Sequence, residues 1–263
     1  MPTLAANGIE TYYEIHGSGP PVLLVAGLGG AGTYWREQVE PFARAHTVII
    51  YDQRGSGRSS HIPVASIDEL AGDALSLLDA LKIERVHYVG HSTGGAIGQV
   101  LALDRPERLQ SLVLYATVHH SDPFRRRMWS LRKAVLAEMG AKAYAQMTSL
   151  VLYPPAWIAA NDARLIEEES IAERMLSKPA VMASRIDAIL AHDRAADLGK
   201  IRTPTLVLCA HDDLMTPVYF SEDIAARVPG AEFVRLDGGG HACSKTRPKE
   251  FNRHVLGFIA RHA

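Results

Sequence analysis

Short apolar runs alternate with segments of helical periodicity along most of the chain. Apolar residues recur at helical spacing between Ile67 and Leu81, behind the capping box formed by Ser66 and Glu69. The short runs predict strands covered on both faces, as in a parallel sheet. They occupy 22–25, 47–51, 86–89, 109–115, 204–209 and 231–236. This alternation predicts an α/β fold built on a mostly parallel, doubly wound sheet.

Both ends of the chain add to this core. Near the start, Asn7-Gly8 separates the segment 3–6 from an alternating run at 9–15, which predicts an antiparallel hairpin. Near the end, the segment 247–262 has helical periodicity, and we expect it to close the core. Its inward face is predicted to carry Phe251, Val255, Phe258 and Ile259.

The pattern changes between residues 119 and 196, where strand-like runs disappear and helical segments follow one another. We predict that 119–196 is a helical cap inserted between the strand ending near Tyr115 and the strand starting near Pro204. Residues 1–118 and 197–263 then form the core. Further helices are expected at 141–150, 161–176 and 179–194.

The first cap helix is predicted to begin at Asp122 and Pro123. One stripe of this helix is apolar and is expected to face inward, at Phe124, Met128, Leu131, Val135 and Met139. Its cations fall largely off that stripe, at Arg125, Arg126, Arg127, Arg132 and Lys133. The run 125–127 is interpreted as a solvated helix face, with a cation for an acidic substrate as the alternative.

Composition narrows the class of protein without identifying its chemistry. The chain has 263 residues, a formal net charge of -1 and two cysteines, Cys209 and Cys243. This charge gives no attraction to nucleic acid or to an anionic membrane surface. Two cysteines make no disulfide framework, and no cysteine–histidine cluster has the spacing of metal ligands. With no visible signal peptide and no apolar segment of about 18 residues, we expect a soluble cytoplasmic protein.

The segment 90–95, Gly-His-Ser-Thr-Gly-Gly, carries the strongest chemical signal in the chain. It lies where a predicted strand meets a predicted helix. A serine with glycine two positions before and after it is typical of a nucleophile elbow, in which the hydroxyl projects from the sheet. The helix N-terminus also stabilises negative charge that develops beside the serine. Ser92 is therefore the predicted nucleophile.

Candidates for the base and its orienting acid follow two later strands. A serine hydroxyl needs a base, and the base needs a carboxylate to orient it. Asp212, Asp213 and His241 all lie just after predicted strands, at the edge where open α/β sheets place their sites. The order serine, acid, histidine is that of nucleophile-elbow hydrolases. His241 is the predicted base, with Asp213 or Asp212 as the acid.

Two backbone amides are candidates for the oxyanion hole. The tetrahedral intermediate of acyl transfer needs two hydrogen-bond donors, which are usually backbone N–H groups. One is predicted to be the amide of Thr93, directly after the nucleophile. The other is expected from the glycine-rich turn 26–30, where Leu28 is our choice.

Several side chains of the predicted cap are candidates for the substrate pocket. Met128, Trp129, Tyr153 and Trp157 predict a partly apolar lining, and packing between cap helices is the alternative for each. His119 either borders the pocket or forms a polar junction between strand and cap.

Three further residues near the predicted triad are expected to have packing roles. His91 stands beside the nucleophile and is expected to pack the elbow rather than transfer protons. Cys209 and Cys243 lie close to Asp213 and His241 in the sequence, and packing is expected for both.

With these residues in place, the chain resembles the α/β-hydrolases over almost its whole length. The segment 52–59 matches that family's Asp-x-Arg-Gly-x-Gly-x-Ser loop, whose role there is structural. The family's Asp-x-x-x-Pro spacing, here ending at Pro217, selects Asp213 as the acid and leaves Asp212 as a turn residue. The resemblance implies the α/β-hydrolase fold and a Ser92, Asp213, His241 triad.

The branch that the chain resembles contains 3-oxoadipate enol-lactonases, short-chain esterases and cofactor-free haloperoxidases. A closer similarity is to the aminoacrylate hydrolases of bacterial pyrimidine degradation. It rests on the segments 27–35, 51–55, 152–157 and 239–243. Two features depart from these relatives. Ala26-Gly27 stands where many carry His-Gly, and Ser92 completes an ordinary triad that the closer branch does not uniformly keep.

These observations predict a serine hydrolase acting on a small molecule without a cofactor or a metal. The bond cleaved is expected to be an ester, enol-lactone, carbamate or amide-like bond, through an acyl-enzyme on Ser92. Perhydrolase or haloperoxidase activity, or hydrolysis of a carbon–carbon bond, would use the same triad. A ligand receptor built on the hydrolase fold is the alternative outside enzymology.

Overall fold

A single mixed sheet forms the centre of the molecule in the computed structural model, which describes residues 3–263. Within these residues the sheet has eight strands in the order β1-β2-β4-β3-β5-β6-β7-β8. β1 and β2 are antiparallel to their neighbours, and the other strands are parallel. The strands are β1 Thr3–Ala6, β2 Ile9–His16, β3 Pro21–Val25, β4 Thr47–Tyr51, β5 Val86–His91, β6 Leu109–Tyr115, β7 Thr205–Ala210 and β8 Glu232–Leu236. The predicted doubly wound sheet is confirmed.

Helices cover both faces of this sheet. They are α1 Arg36–Ala43, α2 Ile67–Ala80, α3 Thr93–Asp104, α4 Pro123–Leu152, α5 Pro155–Ala160, α6 Asp162–Met175, α7 Pro179–Ala191, α8 Val218–Arg227, α9 Cys243–Thr246 and α10 Pro248–Arg261. α1 and α10 pack on one face together with Val22 and Leu24 of β3. α2, α3 and α8 pack on the other face with Leu23 and Val25. Because successive strand residues point to opposite faces, burial of both faces explains the continuous apolar runs.

The predicted hairpin turn and the predicted cap at the start of α2 are both present. Asn7 and Gly8 have φ of 49° and 74°, so the hairpin between β1 and β2 uses the left-handed conformations that asparagine and glycine accept. At the start of α2, the Ser66 hydroxyl accepts a hydrogen bond from the amide of Glu69 at 3.1 Å. The Glu69 carboxylate in turn accepts from the amide of Ala65 at 2.8 Å, one residue earlier than in the usual capping box.

The helical insertion also has its predicted place. α4 to α7 lie between β6 and β7 in the chain, and α4 packs against both α6 and α7. α4 is broken at Gly140, whose φ of 83° lies outside the helical region. No helix in the described part of the chain, residues 3–263, is long and apolar enough to cross a membrane.

The inward face of α4 differs from the prediction. Leu131 and Met139, which belong to the predicted apolar stripe, are 57% and 69% exposed, and Phe124 is also exposed. Arg125 and Arg132 are only 2% and 3% exposed. The buried face instead carries Arg125, Trp129, Arg132 and Leu136, which recur at helical spacing. The predicted inward stripe was therefore wrong at Phe124, Leu131 and Met139. The predicted solvated face was wrong for Arg125, while Arg126 and Arg127 are exposed as expected. Arg132, expected off the stripe, lies on the buried face.

Candidate active site

The backbone holds Ser92 in a strained turn between β5 and α3. Its φ of 52° and ψ of −113° lie where residues other than glycine are rare. A Cβ atom at Gly90 would overlap the Gly94 carbonyl, and one at Gly94 would overlap the carbonyl of Val25 on β3. Glycine is required at both positions for this reason. The turn is held by a hydrogen bond from the Ser92 amide to the Tyr115 carbonyl at 2.9 Å.

Asp213 and His241 form a buried hydrogen-bonded pair. The imidazole Nδ1 of His241 lies 2.9 Å from Oδ2 of Asp213 and 3.1 Å from its Oδ1. The carboxylate also accepts hydrogen bonds from the amides of Met215 and Thr216 at 2.8 and 2.9 Å, and from the Thr216 hydroxyl at 2.8 Å. These donors fix the carboxylate, so that Nδ1 carries the proton and Nε2 is left free to act as a base.

Asp212 has a different set of partners. Its carboxylate accepts hydrogen bonds from the amides of Gly239 and Gly240, at 3.3 and 2.8 Å. These glycines immediately precede His241, so the hydrogen bonds to Asp212 fix the backbone of the loop that carries the histidine. The geometry places Asp213, and not Asp212, against the imidazole.

The backbone carbonyl of His241 is also fixed by hydrogen bonds. Its carbonyl oxygen accepts hydrogen bonds from the Tyr115 hydroxyl at 2.9 Å and from Nε2 of His91 at 3.1 Å. The His91 ring is buried and stacks on the ring of Tyr34, with centroids 4.5 Å apart. Burial lowers the pKa of His91 well below its usual value. A neutral His91 that packs the elbow agrees with the role expected for it.

A cavity of about 740 Å³ lies between the core and the helical insertion. Ser92, His241 and Leu28 line it from the core. Among the candidates for the substrate pocket, Trp129 and Tyr153 lie on the cavity wall. The structure therefore brings the predicted nucleophile, base and oxyanion loop together with two of the aromatic side chains.

Met128, Trp157 and His119 do not line this cavity. Met128 packs against the hydrophobic cluster that lies on the α2, α3 and α8 face of the sheet. The ring of Trp157 stacks on the ring of Tyr153, with centroids 4.6 Å apart. His119 is buried beside Phe220, with Nε2 at 2.8 Å from a carboxylate oxygen of Asp223 but outside hydrogen-bonding geometry. For Met128 and Trp157 these contacts agree with the alternative of packing between cap helices. For His119 they agree with the alternative of a polar junction between strand and cap.

The two amides expected to form the oxyanion hole are available for a ligand. In the described residues 3–263, neither the Leu28 amide nor the Thr93 amide donates a hydrogen bond to a protein acceptor. The Leu28 carbonyl accepts a hydrogen bond from Nε of Arg185 at 2.9 Å, and the Ala26 carbonyl accepts from the side-chain amide of Gln53 at 2.7 Å. These bonds fix the shape of the loop that follows β3.

Both cysteines have the packing role expected for them. Cys209 and Cys243 are buried and free. Burial raises the pKa of the Cys209 thiol to about 11 and raises that of Cys243 as well. Both side chains are therefore neutral thiols at ordinary pH.

Sequence reasoning missed two functional candidates, Arg132 and Arg185. Arg132 of α4 lines the cavity, and Arg185 of α7 holds the Leu28 carbonyl. A signal for Arg185 was present, because it lies on the apolar face of α7 that also carries Val181, Met182 and Ile189. A charged residue on an otherwise buried helix face indicates a specific partner.

The chain has clear relatives among known proteins. The family model described as alpha/beta hydrolase fold matches residues 20–146. A protein of Azorhizobium caulinodans named "Putative carbamate hydrolase RutD" is 43% identical over 259 residues, which cover 98% of each chain. A solved hydrolase from Pseudomonas aeruginosa PA01 has 30% identity and a TM-score of 0.90, covering 98% of this chain and 97% of that one. The enol-lactonase from Burkholderia xenovorans LB400 has 28% identity and a TM-score of 0.91, covering 98% of this chain and 100% of that one.

Proposed function

Because the chain belongs to the α/β-hydrolase family and is a hydrolase of the esterase and lactonase type, we propose that it works through an acyl-enzyme on Ser92. His241 is the general base and Asp213 its orienting acid. The amides of Leu28 and Thr93 form the oxyanion hole. In this proposal 1–118 and 197–263 are the catalytic core, and 119–196 is a cap over the substrate.

The reaction follows from the positions of these groups. His241 removes the hydroxyl proton of Ser92 as the oxygen attacks the substrate carbonyl, and the Leu28 and Thr93 amides bind the resulting oxyanion. The imidazolium then donates its proton to the leaving group, and the acyl-enzyme forms. His241 next removes a proton from water, which attacks the ester on Ser92. Collapse of the second tetrahedral intermediate returns the proton to Ser92 and releases the acid.

One observation carries this proposal. The imidazole of His241 is hydrogen-bonded to the carboxylate of Asp213 on one side and lines the cavity that Ser92 also lines. A base, its orienting acid and a strained serine at one cavity are the parts that acyl transfer needs. The free amides of Leu28 and Thr93 support the same mechanism.

The relatives support a class of bond. The Azorhizobium relative is named for carbamate hydrolysis, and the Burkholderia structure is that of an enol-lactonase. We propose a small-molecule substrate with an ester, enol-lactone, carbamate or amide-like bond. A cavity of about 740 Å³ has the size of a small-molecule site.

Steady-state hydrolysis of p-nitrophenyl acetate tests the nucleophile. We expect the wild-type protein to turn over this ester and Ser92→Ala to fall to the background rate, a loss on the order of 10⁴-fold or more in kcat. Ser130→Ala is the matched control, because Ser130 is exposed on α4, and it should retain the wild-type rate. Equal rates for wild type and Ser92→Ala would show that another group is the nucleophile.

A further inference from the structure

Arg125 is a buried cation near the start of α4, outside the cavity that holds Ser92. It is 2% exposed and is not among the residues that line the cavity. Burial lowers the pKa of its guanidinium to about 10, so the side chain is still charged at neutral pH. Trp129 and Phe220 flank it, with ring centroids 5.8 and 5.9 Å from the guanidinium carbon. Burial of a full charge is costly unless a specific partner compensates for it.

The partner of Arg125 is not a carboxylate. Arg54, which is also buried, makes a two-fold hydrogen bond to Asp73 at 2.7 Å. Within the described residues 3–263, no carboxylate oxygen lies at ion-pair distance from the Arg125 guanidinium. Its acceptor there is the backbone carbonyl of Met215, 3.4 Å from Nη1, while Nε has none. This buried charge is therefore directed at one peptide group.

That peptide group, between Met215 and Thr216, also binds the predicted acid of the triad. Its N–H donates to Oδ1 of Asp213 at 2.9 Å. A trans peptide is planar, so its carbonyl and its N–H move as one rigid unit. The unit connects the Arg125 guanidinium at one end to the Asp213 carboxylate at the other. Two hydrogen bonds in such a chain polarise and strengthen each other, and more so in a buried setting.

The carbonyl of Met215 depends on this one donor. Met215 is 3% exposed, and among residues 3–263 no backbone N–H donates to its carbonyl. Arg132 approaches the same residue at the sulfur, 3.3 Å from its Nη1, and not at the peptide. Without Arg125 the carbonyl would be a buried acceptor lacking a donor, which a backbone avoids by turning the peptide.

A second contact fixes the start of α4 against the same segment. Tyr219 of α8 follows the loop of Asp213, and its hydroxyl donates to the carboxylate of Asp122 at 2.5 Å. Asp122 caps α4 by accepting from the backbone amide of Arg125 at 2.8 Å. The cap residue and the guanidinium thus hold the first turn of α4 against residues 215–219. The guanidinium reaches the peptide from a fixed position.

We propose that Arg125 is a positioning residue of the triad, which fixes the carboxylate of Asp213 against His241 through the peptide between Met215 and Thr216. This inference rests on the proposed acyl transfer at Ser92. Arg125 touches no reacting atom. Its donor keeps the peptide N–H aimed at the carboxylate, and its positive charge favours the ionised form of Asp213. The helical insertion then contributes to catalysis through the acid, apart from any contact with the substrate.

Steady-state hydrolysis of p-nitrophenyl acetate gives the first test. Arg125→Met removes the charge and the donor while it keeps an apolar stem. We expect kcat to fall about tenfold, as for the loss of one hydrogen bond to a charged group, with KM changed by about threefold or less. Arg125→Lys keeps the charge and should retain more of the rate than Arg125→Met. Arg126→Met is the matched control at the next, exposed position, and it should behave as wild type.

Proton NMR tests the bond between His241 and Asp213 directly. The Nδ1 proton of a histidine that donates to a carboxylate resonates far downfield, and this signal is assigned by its loss in His241→Gln. We expect Arg125→Met to move the signal upfield or to abolish it, because the carboxylate is no longer held in place. Arg126→Met should leave the signal unchanged. A role of Arg125 confined to the packing of α4 would lower stability without moving it.

Different results would overturn the inference and the proposed mechanism. A folded Arg125→Met with the wild-type kcat and the wild-type Nδ1 signal overturns the role of Arg125, as does a rise in KM with unchanged kcat. Thermal unfolding followed by circular dichroism establishes that the variants fold. If Arg125→Met does not fold, Arg125→Lys decides, with about threefold lower kcat and a shifted signal expected, and wild-type values in both overturning the role. If wild type fails to hydrolyse p-nitrophenyl acetate, the acyl-transfer proposal fails, and the Nδ1 signal still tests Arg125.

Discussion

Asp212 and Asp213 are neighbours whose carboxylates bind different parts of one loop. Asp213 accepts from the imidazole of His241, and Asp212 accepts from the amides of Gly239 and Gly240. One therefore orients the ring, while the other positions the backbone on which the ring stands. A residue with the second role acts through His241 and touches no reacting atom.

Asparagine substitutions separate these two roles. Asp213→Asn should lower kcat for p-nitrophenyl acetate by about 10³- to 10⁴-fold, because the amide favours the wrong imidazole tautomer and does not stabilise the imidazolium. Asp212→Asn keeps an oxygen acceptor for the loop amides and should cost about tenfold or less. Steady-state kinetics of both variants give the comparison. A larger loss for Asp212→Asn than for Asp213→Asn would exchange the assignments.

At the scale of elements, the helical insertion is connected to the oxyanion loop by α7. Arg185 projects from this helix and donates to the Leu28 carbonyl at 2.9 Å and to the side chain of Gln53 at 2.7 Å. It also donates to the carbonyl of Arg54. Gln53 in turn donates to the carbonyl of Ala26. One buried side chain of the insertion thus holds the loop that follows β3 directly at Leu28, and at Ala26 through Gln53.

Removal of Arg185 should impair the chemical step more than binding. In Arg185→Met the Leu28 carbonyl loses its donor and its peptide can turn, so that the neighbouring amide leaves the oxyanion. We expect kcat for p-nitrophenyl acetate to fall by about 10- to 100-fold, less than the complete loss of one donor, with KM changed by about threefold or less.

Two controls accompany Arg185→Met. Arg127→Met, at an exposed position of α4, should behave as wild type. Thermal unfolding monitors stability, because buried carbonyls that lose their hydrogen-bond donor lower the free energy of unfolding by about 1–3 kcal/mol. A rise in KM with unchanged kcat would show that Arg185 serves binding and not the oxyanion loop.

The molecule as a whole keeps several histidines neutral in its interior. Burial lowers the pKa of His87, His119 and His192 to about 4 in each case. His87 lies on β5 with Nδ1 at 2.8 Å from the Ser111 hydroxyl of β6, and His192 follows α7. These histidines connect the stability of the core to pH.

Stability should therefore fall in acid. An unfolded histidine binds a proton below pH about 6.5, whereas these folded ones do so only near pH 4. Between these values the unfolded state binds more protons, so the free energy of unfolding decreases as pH falls. Each buried histidine contributes a slope of at most about 1.4 kcal/mol per pH unit. Urea unfolding at several pH values between 7 and 4.5 measures how the free energy of unfolding depends on pH.

One pair of variants assigns that slope to buried histidine. His87→Gln should flatten the dependence of unfolding free energy on pH, because the glutamine does not titrate. His211→Gln should leave the slope unchanged, since His211 is exposed. An equal slope in wild type and His87→Gln would assign the acid sensitivity to other groups.

Patterns within short segments predict the order of strands and helices along the chain, the helical insertion between β6 and β7, and the residues proposed for the triad. These properties depend on neighbours in the chain. An apolar run buries both strand faces, and the glycines at 90 and 94 leave the space that the strained turn at Ser92 requires. The positions of Asp213 and His241 follow from the ends of two strands, since parallel strands bring those ends to one edge of the sheet.

The lining of the cavity and the tasks of the buried arginines depend on contacts between distant elements. The face of α4 that carries Arg125 and Arg132 lies inward, where Tyr144 and Thr148 supply acceptors for Arg132. Periodicity assigns residues to a helix face, but it does not reveal which face the rest of the molecule covers. Polar partners from the other elements made burial of charge possible here, and Met128, Trp157 and His119 pack against other side chains and do not line the cavity.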